Sequence, residues 1–207
     1  MEAKTGILKN FATLILAAGF SGRMGIPKLS LRFDEDRSFA EKIIQTYQSA
    51  GCRNIVMIVN EQGENYLRRQ KVSFTENDVT VILNMHPERE RFYSLQTGLR
   101  SVQNGLPVFV QNIDNPFVET ELLQQLANIY TPEGYVVPRY NGRGGHPVLL
   151  SERIVNDITT SLDWGQNLRN FLQAYPQISC PVDDEKILIN INSPKEYRKY
   201  FSKSGKT

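Results

Sequence analysis

The sequence predicts an α/β fold in a single domain, with a mostly parallel sheet and helices on both of its faces. Three observations carry that reading. Apolar runs of strand length alternate along the chain with segments of helical periodicity. The first run, Ala12–Ala18, is apolar but for Thr13, as expected of a strand buried on both faces. The chain has 207 residues, 40% hydrophobic and 22% charged, which is globular composition and enough for one sizeable core.

The elements follow in order. Ser38 and Glu41 form a capping box ahead of Phe39, Ile43, Ile44 and Tyr47, which share a helical face, and Gly51 supplies a stop signal. Asn54–Val59 reads as a second strand, Glu61–Gln70 as a polar helix and Val79–Leu83 as a third strand. Leu95, Leu99 and Val102 mark a helix over Ser94–Gln103, ended by Gly105. Pro107–Gln111 is a buried strand, and Leu122, Leu123, Leu126 and Ile129 mark the next helix. Tyr135–Pro138 and Pro147–Leu150 are short strands flanking a glycine-rich loop. Ser151–Ile158 and Asn167–Ala174 are helical, and Ile187–Ile191 is a late strand. Ser193, Pro194 and Glu196 open a last helix as N-cap, first helical residue and third.

Charge and cysteine content narrow the function classes. Lys plus Arg number 24 and Asp plus Glu 22, a net charge of +2. Such a balance opposes a protein that coats nucleic acid or an anionic membrane. Cys52 and Cys180 stand far apart with no zinc or redox spacing, and read as two isolated small hydrophobes. The first ten residues lack a secretory pattern, and no apolar stretch approaches the ~20 residues of a membrane helix. The expectation is a soluble cytoplasmic protein without membrane or nucleic-acid partners.

In open α/β sheets ligands sit beyond the carboxyl ends of the strands. The loops after Ala18, Leu83, Gln111, Pro138 and Ile191 are therefore the ones to read. The first runs Gly19-Phe-Ser21-Gly22-Arg23-Met-Gly25-Ile-Pro-Lys28. Glycines at every third position let backbone N–H groups approach an anion, and Arg23 and Lys28 add two positive charges. It is not a dinucleotide fingerprint, because Ser21 stands where the second glycine is required, nor is it a Walker loop.

Leu16-Ala17-Ala18-Gly19-Phe-Ser21-Gly22-Arg23-Met-Gly25-Ile-Pro-Lys28 resembles the L-A-A-G-x-S-x-R-M-G-x-x-K signature of the MobA-like NTP transferases, the molybdenum cofactor cytidylyltransferases and guanylyltransferases among them. The resemblance runs from Thr13 to Glu196. It implies a Rossmann-like three-layer α/β/α domain of the nucleotide-diphospho-sugar transferase type, occupying 1–207 with a core of about 11–201 and a flexible tail over 202–207. The implied reaction moves an NMP from an NTP onto a phosphorylated small-molecule acceptor and releases pyrophosphate, with Mg²⁺ as cofactor. Leu16, Ala17, Ala18, Gly19, Ser21, Gly22, Arg23 and Lys28 would hold the nucleotide, and Arg23 and Lys28 would offset the charge of the leaving pyrophosphate.

Four further segments extend the resemblance. Asp114-Asn-Pro116 falls where the family carries a magnesium-binding Asp. Asn190-Ile-Asn192-Ser-Pro194 resembles the family's closing segment; both amides would share one side of a strand, and Asn192, nearer its end, is the expected second metal ligand. Gly142 to Pro147 resembles the loop on the acceptor side, which assigns Gly145 and His146 to the acceptor. Asn84 to Gly98 resembles the nucleotide-pocket segment, with Asn84 and Ser94 in place. There the usual preceding glycine is replaced by Glu90, Arg91, Phe92 and Tyr93, and His86, Arg89 and Arg91 are unusual additions. The catalytic set is thus Arg23, Lys28 and Asp114. No general base is required, since an acceptor phosphate is already ionised at neutral pH.

Lys28-Leu29 and the Gly-His-Pro loop resemble the cytidylyltransferase version of the family, and that resemblance implies CTP and a molybdenum cofactor cytidylyltransferase activity. The alternatives are GTP with guanylyl transfer, a sugar- or alcohol-phosphate cytidylyltransferase, a nucleotide-binding protein without turnover, or a partner-binding scaffold whose glycine loop is only a turn. Two further patterns carry no chemistry. Ser204-Gly-Lys-Thr207 imitates the end of a P-loop but has Tyr200 at the first-glycine position. Tyr197, Tyr200 and Phe201 have helical spacing and read as packing.

Overall fold

The computed structural model describes residues 6–69, 79–163 and 165–201. Its strands, in chain order, are β1 (Ala12–Ala17), β2 (Asn54–Val59), β3 (Val79–Leu83), β4 (Val108–Asn112), β5 (Tyr135–Tyr140), β6 (Arg143–Gly144), β7 (Val148–Leu150) and β8 (Gln177–Pro181). The helices are α1 (Phe39–Ser49), α2 (Glu61–Arg69), α3 (Glu90–Leu99), α4 (Thr120–Asn128), α5 (Glu152–Thr160), α6 (Leu168–Phe171) and α7 (Pro194–Phe201). The strands form one sheet in the order β3-β2-β1-β4-β7-β5-β6, with β8 also on β5. Pairing is parallel from β3 through β4 and between β5 and β8; β7 and β6 enter antiparallel.

β1 is buried at all six positions, Thr13 included, whose hydroxyl lies 3.4 Å from Cys52 Sγ. Alternate side chains divide between two cores. Ile15 and Ala17 pack with α1, α4 and the aromatic side chains of α7. Ala12, Leu14, Leu16 and Ala18 pack with Phe92, Leu95 and Leu99 of α3 and with Ile154 and Ile158 of α5. That division is the three-layer α/β/α arrangement. The capping box at Ser38 is present in both directions: Ser38 N donates to Glu41 Oε2 at 2.6 Å, and Ser38 Oγ accepts from Glu41 N at 3.3 Å. Gly98 brings α3 against β1, since a Cβ there would lie 2.4 Å from Leu14 Cδ1.

Several expectations are corrected. Ile187–Ile191 is not a strand: Glu185–Leu188 is a 3-10 turn followed by irregular chain. Its backbone groups find other partners. The amide of Asn115 donates to the carbonyls of Lys186, Ile187 and Ile189 at 3.1, 3.2 and 2.7 Å, and Ile191 N donates to Asp114 O at 2.7 Å. The parallel partner beside β5 is β8, whose short Gln-Ile-Ser-Cys-Pro run ends in proline, as an edge strand can. The helix expected from Ser94 begins at Glu90, because Phe92, 2% exposed, belongs to the core. Asn167–Ala174 divides into α6 and a 3-10 turn.

Cys52 and Cys180 are buried and unpaired, as expected. Phe201 lies 5.1 Å from Phe39 and Tyr197 6.1 Å from it, ring centre to ring centre, so both act in packing. The tail over 202–207, with the Ser204–Thr207 pattern, and Gln70 at the end of α2 lie outside the described residues. No helix among the described residues is long and apolar enough to cross a membrane.

Candidate functional site

The chain leaves β1 toward β2 on one side and returns to β4 on the other. A crevice opens at the carboxyl ends of strands where the winding reverses. A cleft of about 270 Å³ lies there, lined by Leu16 to Ser21, Lys28, Asn112 to Asp114 and, from α3, Arg91 and Ser94. The glycine loop forms one wall, the ends of β1 and β4 the floor, and α3 the opposite wall.

The loop after β1 is organised by Ser21. Its carbonyl accepts from Met24 N at 2.8 Å and Gly25 N at 3.0 Å, and its hydroxyl accepts from Lys28 N at 3.3 Å. Gly25 closes this turn at φ 73°, where a side chain would be strained. Asn60 Nδ2 donates to Gly19 O at 3.3 Å and ties the loop to the end of β2. Lys28 then points its ammonium into the cleft. It donates to Asp114 Oδ2 at 3.2 Å and to Asn192 Oδ1 at 2.6 Å. Asp114 Oδ1 is buried and has no hydrogen-bond partner among the described residues. One cation thus already bridges a carboxylate and an amide oxygen, and one carboxylate oxygen remains unused.

Asn192 is held by the start of α7. Its backbone N–H donates to Glu196 Oε2 at 2.8 Å, and Ser193 Oγ donates to the same oxygen at 3.0 Å. Those bonds, in that order, hold the Glu196 carboxyl below the usual range. Asn190 is exposed, outside the cleft, and it is the amide of Asn192 that reaches Lys28. The two amides do not lie on a common strand, because that segment is irregular.

On the α3 side the Arg91 guanidinium donates to Asn112 Oδ1, and Asn112 Nδ2 lies 2.7 Å from His146 Nε2. His146 Nδ1 is buried without a partner among the described residues. Burial, and secondarily the Arg91 charge, lower the His146 imidazole from the ordinary 6.5 to about 4, against an opposing pull from Asp114. The ring is neutral at physiological pH. Behind this row, Asn84 Nδ2 donates to Ser94 Oγ at 2.8 Å and Asn84 Oδ1 accepts from His86 N at 2.8 Å.

The structure therefore brings Leu16, Ala17, Ala18, Gly19, Ser21, Lys28, Ser94 and Asp114 to one cleft, with Asn192 attached through Lys28 and Asn84 through Ser94. Gly22 and Arg23 are exposed and do not line it; the Arg23 charge is felt by Glu196. Gly145 is buried against the 3-10 turn, where a Cβ would stand 2.6 Å from Ile187 O. His146 meets the cleft through Asn112. Sequence reading missed Asn112 and Asn115. The signal available was a buried strand ending in Gln111 and Asn112 with Asn115 three residues further on, too many amides for a plain turn.

The family profile of the MobA-like NTP transferase domain matches residues 13–178. The molybdenum cofactor cytidylyltransferase of Escherichia coli K12 is 22% identical over 184 residues, 89% of this chain and 92% of the relative. A nucleotidyl transferase from Methanothermobacter superposes with a TM-score of 0.75 at 18% identity, over 91% of this chain and 94% of its own. A Mycobacterium tuberculosis protein solved as a manganese complex superposes at 0.70 and 18% identity, over 92% of this chain and 97% of its own.

Proposed function

The chain belongs to the MobA-like NTP transferase family and is a nucleotidyltransferase, and from that premise we propose that it moves an NMP from an NTP, CTP in preference to GTP, onto a phosphorylated acceptor of the molybdenum cofactor type, releasing pyrophosphate. The observation that carries this reading is Lys28, whose ammonium sits at the crevice between β1 and β4 in contact with both Asp114 and Asn192.

The donor set fits a divalent cation. Asp114 Oδ1 is buried and unpartnered, and Asp114 Oδ2 and Asn192 Oδ1 already share a cation. Mg²⁺ takes hard oxygen ligands and keeps sites for water and substrate phosphates, so one carboxylate and one amide oxygen suffice. No cluster of three or more His, Cys, Asp or Glu among the described residues competes as a metal site. Bound there, Mg²⁺ would neutralise charge on the phosphates.

The protein's part is positioning and electrostatics. The loop from Leu16 to Ser21 presents backbone N–H groups and the Ser21 hydroxyl to the triphosphate. Lys28 has its contacts with Asp114 and Asn192 to exchange for phosphate oxygens as charge builds on the leaving group. Arg23, at the exposed rim, adds charge from outside. Asn84 and Ser94 form the nucleoside side of the cleft, and the Gly145-His146 loop flanks the acceptor side. An acceptor phosphate ionised at neutral pH attacks the α-phosphorus and needs no base. The domain is proposed to span the chain and to work in the cytoplasm.

The test is direct. CTP and GTP, each with Mg²⁺, are titrated by calorimetry, and pyrophosphate release is then followed with molybdenum cofactor as acceptor. Release from CTP supports the proposal. Release from GTP alone shifts the donor, and nucleotide binding without release for any phosphorylated acceptor overturns turnover.

A further inference from the structure

We propose that Arg91 is a phosphate-binding cation on the α3 wall of the cleft, and that His146 is a positioning residue which holds it there through Asn112. The inference rests on the nucleotidyltransferase reading and adds a residue pair to it.

The argument starts from the amide of Asn112. An asparagine side chain has one donating and one accepting end. Its Nδ2 lies 2.7 Å from His146 Nε2, so in the contact as found the imidazole nitrogen accepts and carries no proton. That leaves Oδ1 on the other side, where it accepts from the Arg91 guanidinium. Turned around, the amide would face the guanidinium donor to donor. The guanidinium, which can only donate, holds Oδ1, and the unprotonated Nε2 of His146 holds Nδ2, so the two partners together fix the amide between them.

The backbone that carries the ring is fixed. His146 N donates to Ile187 O at 3.1 Å, Gly145 N donates to Pro138 O at 2.9 Å, and the tight approach of Gly145 to Ile187 leaves the loop little room. Arg91 lines the cleft with Ser94 and Lys28; its neighbour Phe92 packs in the core on one face of the sheet, while Leu29, next to Lys28, packs in the core on the other. The bond to Asn112 uses one of its five N–H donors, and the planar fork matches two oxygens of a phosphate. Lys28 supplies the cation near Asp114 and Asn192, and Arg91 would supply one on the opposite wall. An NTP lying between the walls would meet both.

Binding is measured by calorimetry with Mg·CTP, Mg·GTP and inorganic triphosphate as the base-free probe. R91Q is expected to weaken the better-bound nucleotide and inorganic triphosphate alike, by about tenfold or more. H146L is expected to weaken them severalfold in the parent protein and to have no further effect in R91Q. H146Q, whose amide oxygen still accepts from Asn112, is expected to bind close to the parent. Thermal unfolding of each variant accompanies the titrations, and N112L, which breaks the same relay without substituting a residue of the 142–147 loop, replaces H146L if the latter fails to fold. Parent-like binding by R91Q overturns the inference, as does equal weakening by H146L with and without Arg91. Weakened CTP with unchanged triphosphate places the contact on the nucleoside and overturns the phosphate assignment. Failure of the parent protein to bind any of the three probes removes the underlying reading itself.

Discussion

The ammonium of Lys28 donates to the amide oxygen of Asn192 at 2.6 Å, joining residues 164 apart in sequence, and donates at the same time to Asp114 at 3.2 Å. The two oxygens that a divalent ion would use are thus held together by the side chain that would otherwise face the triphosphate. On the proposed function a single positive charge would serve two tasks in turn, and the contacts among Lys28, Asp114 and Asn192 stand without nucleotide.

Lys28→Met should lower the rate of pyrophosphate release by about 10²–10³-fold, the range seen when one charge-stabilising group is removed from a site of this kind. The Lys28 and Asp114 side chains are only 15% and 21% exposed, so losing the ammonium leaves Asp114 and Asn192 without their shared donor, and the melting temperature should fall by several degrees as well. Steady-state assay beside calorimetry decides it; turnover within a few-fold of the parent enzyme would remove Lys28 from the catalytic set.

Asp114→Asn keeps the shape of the side chain and the backbone bond from Ile191 N to Asp114 O, while removing the charge that favours a cation. Binding of Mn²⁺ in the presence of nucleotide, followed by electron paramagnetic resonance, should weaken about tenfold or more. Asn190→Ala should leave the same titration unaltered, because the Asn190 side chain is exposed outside the cleft. Equal losses for the two variants would mean that the metal is held elsewhere.

Much of this was legible in the sequence because it is local. The glycine loop declares itself by the spacing of Gly19, Gly22 and Gly25, β1 by a run that is apolar but for Thr13, and β4 by its apolar start, Val108 to Val110. The closing segment misled for a physical reason. Ile187–Ile191 has the apolar content of a strand, but its carbonyls are taken by Asn115, more than seventy positions earlier, and no local pattern records that. The relay from His146 through Asn112 to Arg91 was equally hidden. Its members come from a loop, a strand end and a helix, and the helix carries Arg91 and Phe92 where the resemblance expects glycine nearby.

Asn115→Ala should destabilise the fold by roughly 1–3 kcal/mol, because Asn115 is 1% exposed and its loss removes the donor to Ile189 O and weakens the hold on Lys186 O and Ile187 O, which keep the backbone donors Ile189 N and His146 N. Urea unfolding measures it. The same variant should slow turnover, since that stretch leads directly into Asn192. A stable Asn115→Ala protein with altered turnover would assign Asn115 to the chemistry in place of the scaffold.

Gly145→Ala separates packing from ligand contact on the acceptor side. The added Cβ would stand 2.6 Å from Ile187 O and 2.8 Å from Ile187 Cβ, so backbone has to move. A loss of about 1–3 kcal/mol is expected in chemical denaturation. Unchanged stability with a raised KM for the acceptor alone would show the glycine contacting acceptor.

His146 gives the metal-free protein a pH signature. Its folded-state value is lowered to about 4 by burial first and Arg91 second, from an ordinary 6.5. Above pH 6.5 the ring is neutral in both states and its contribution to stability is fully present. As pH falls from 6.5 toward 4 the unfolded chain binds a proton that the folded protein does not, and stability declines. The decline should total roughly 3 kcal/mol at most and level off below about pH 4 as far as this residue is concerned. His146→Gln removes the titration, so the difference between the two proteins in urea-unfolding free energy, measured from pH 7.5 to 4, isolates it. A difference that stays flat across that interval would mean that the ring is not held neutral, and the acceptor role of Nε2 toward Asn112 would fall with it.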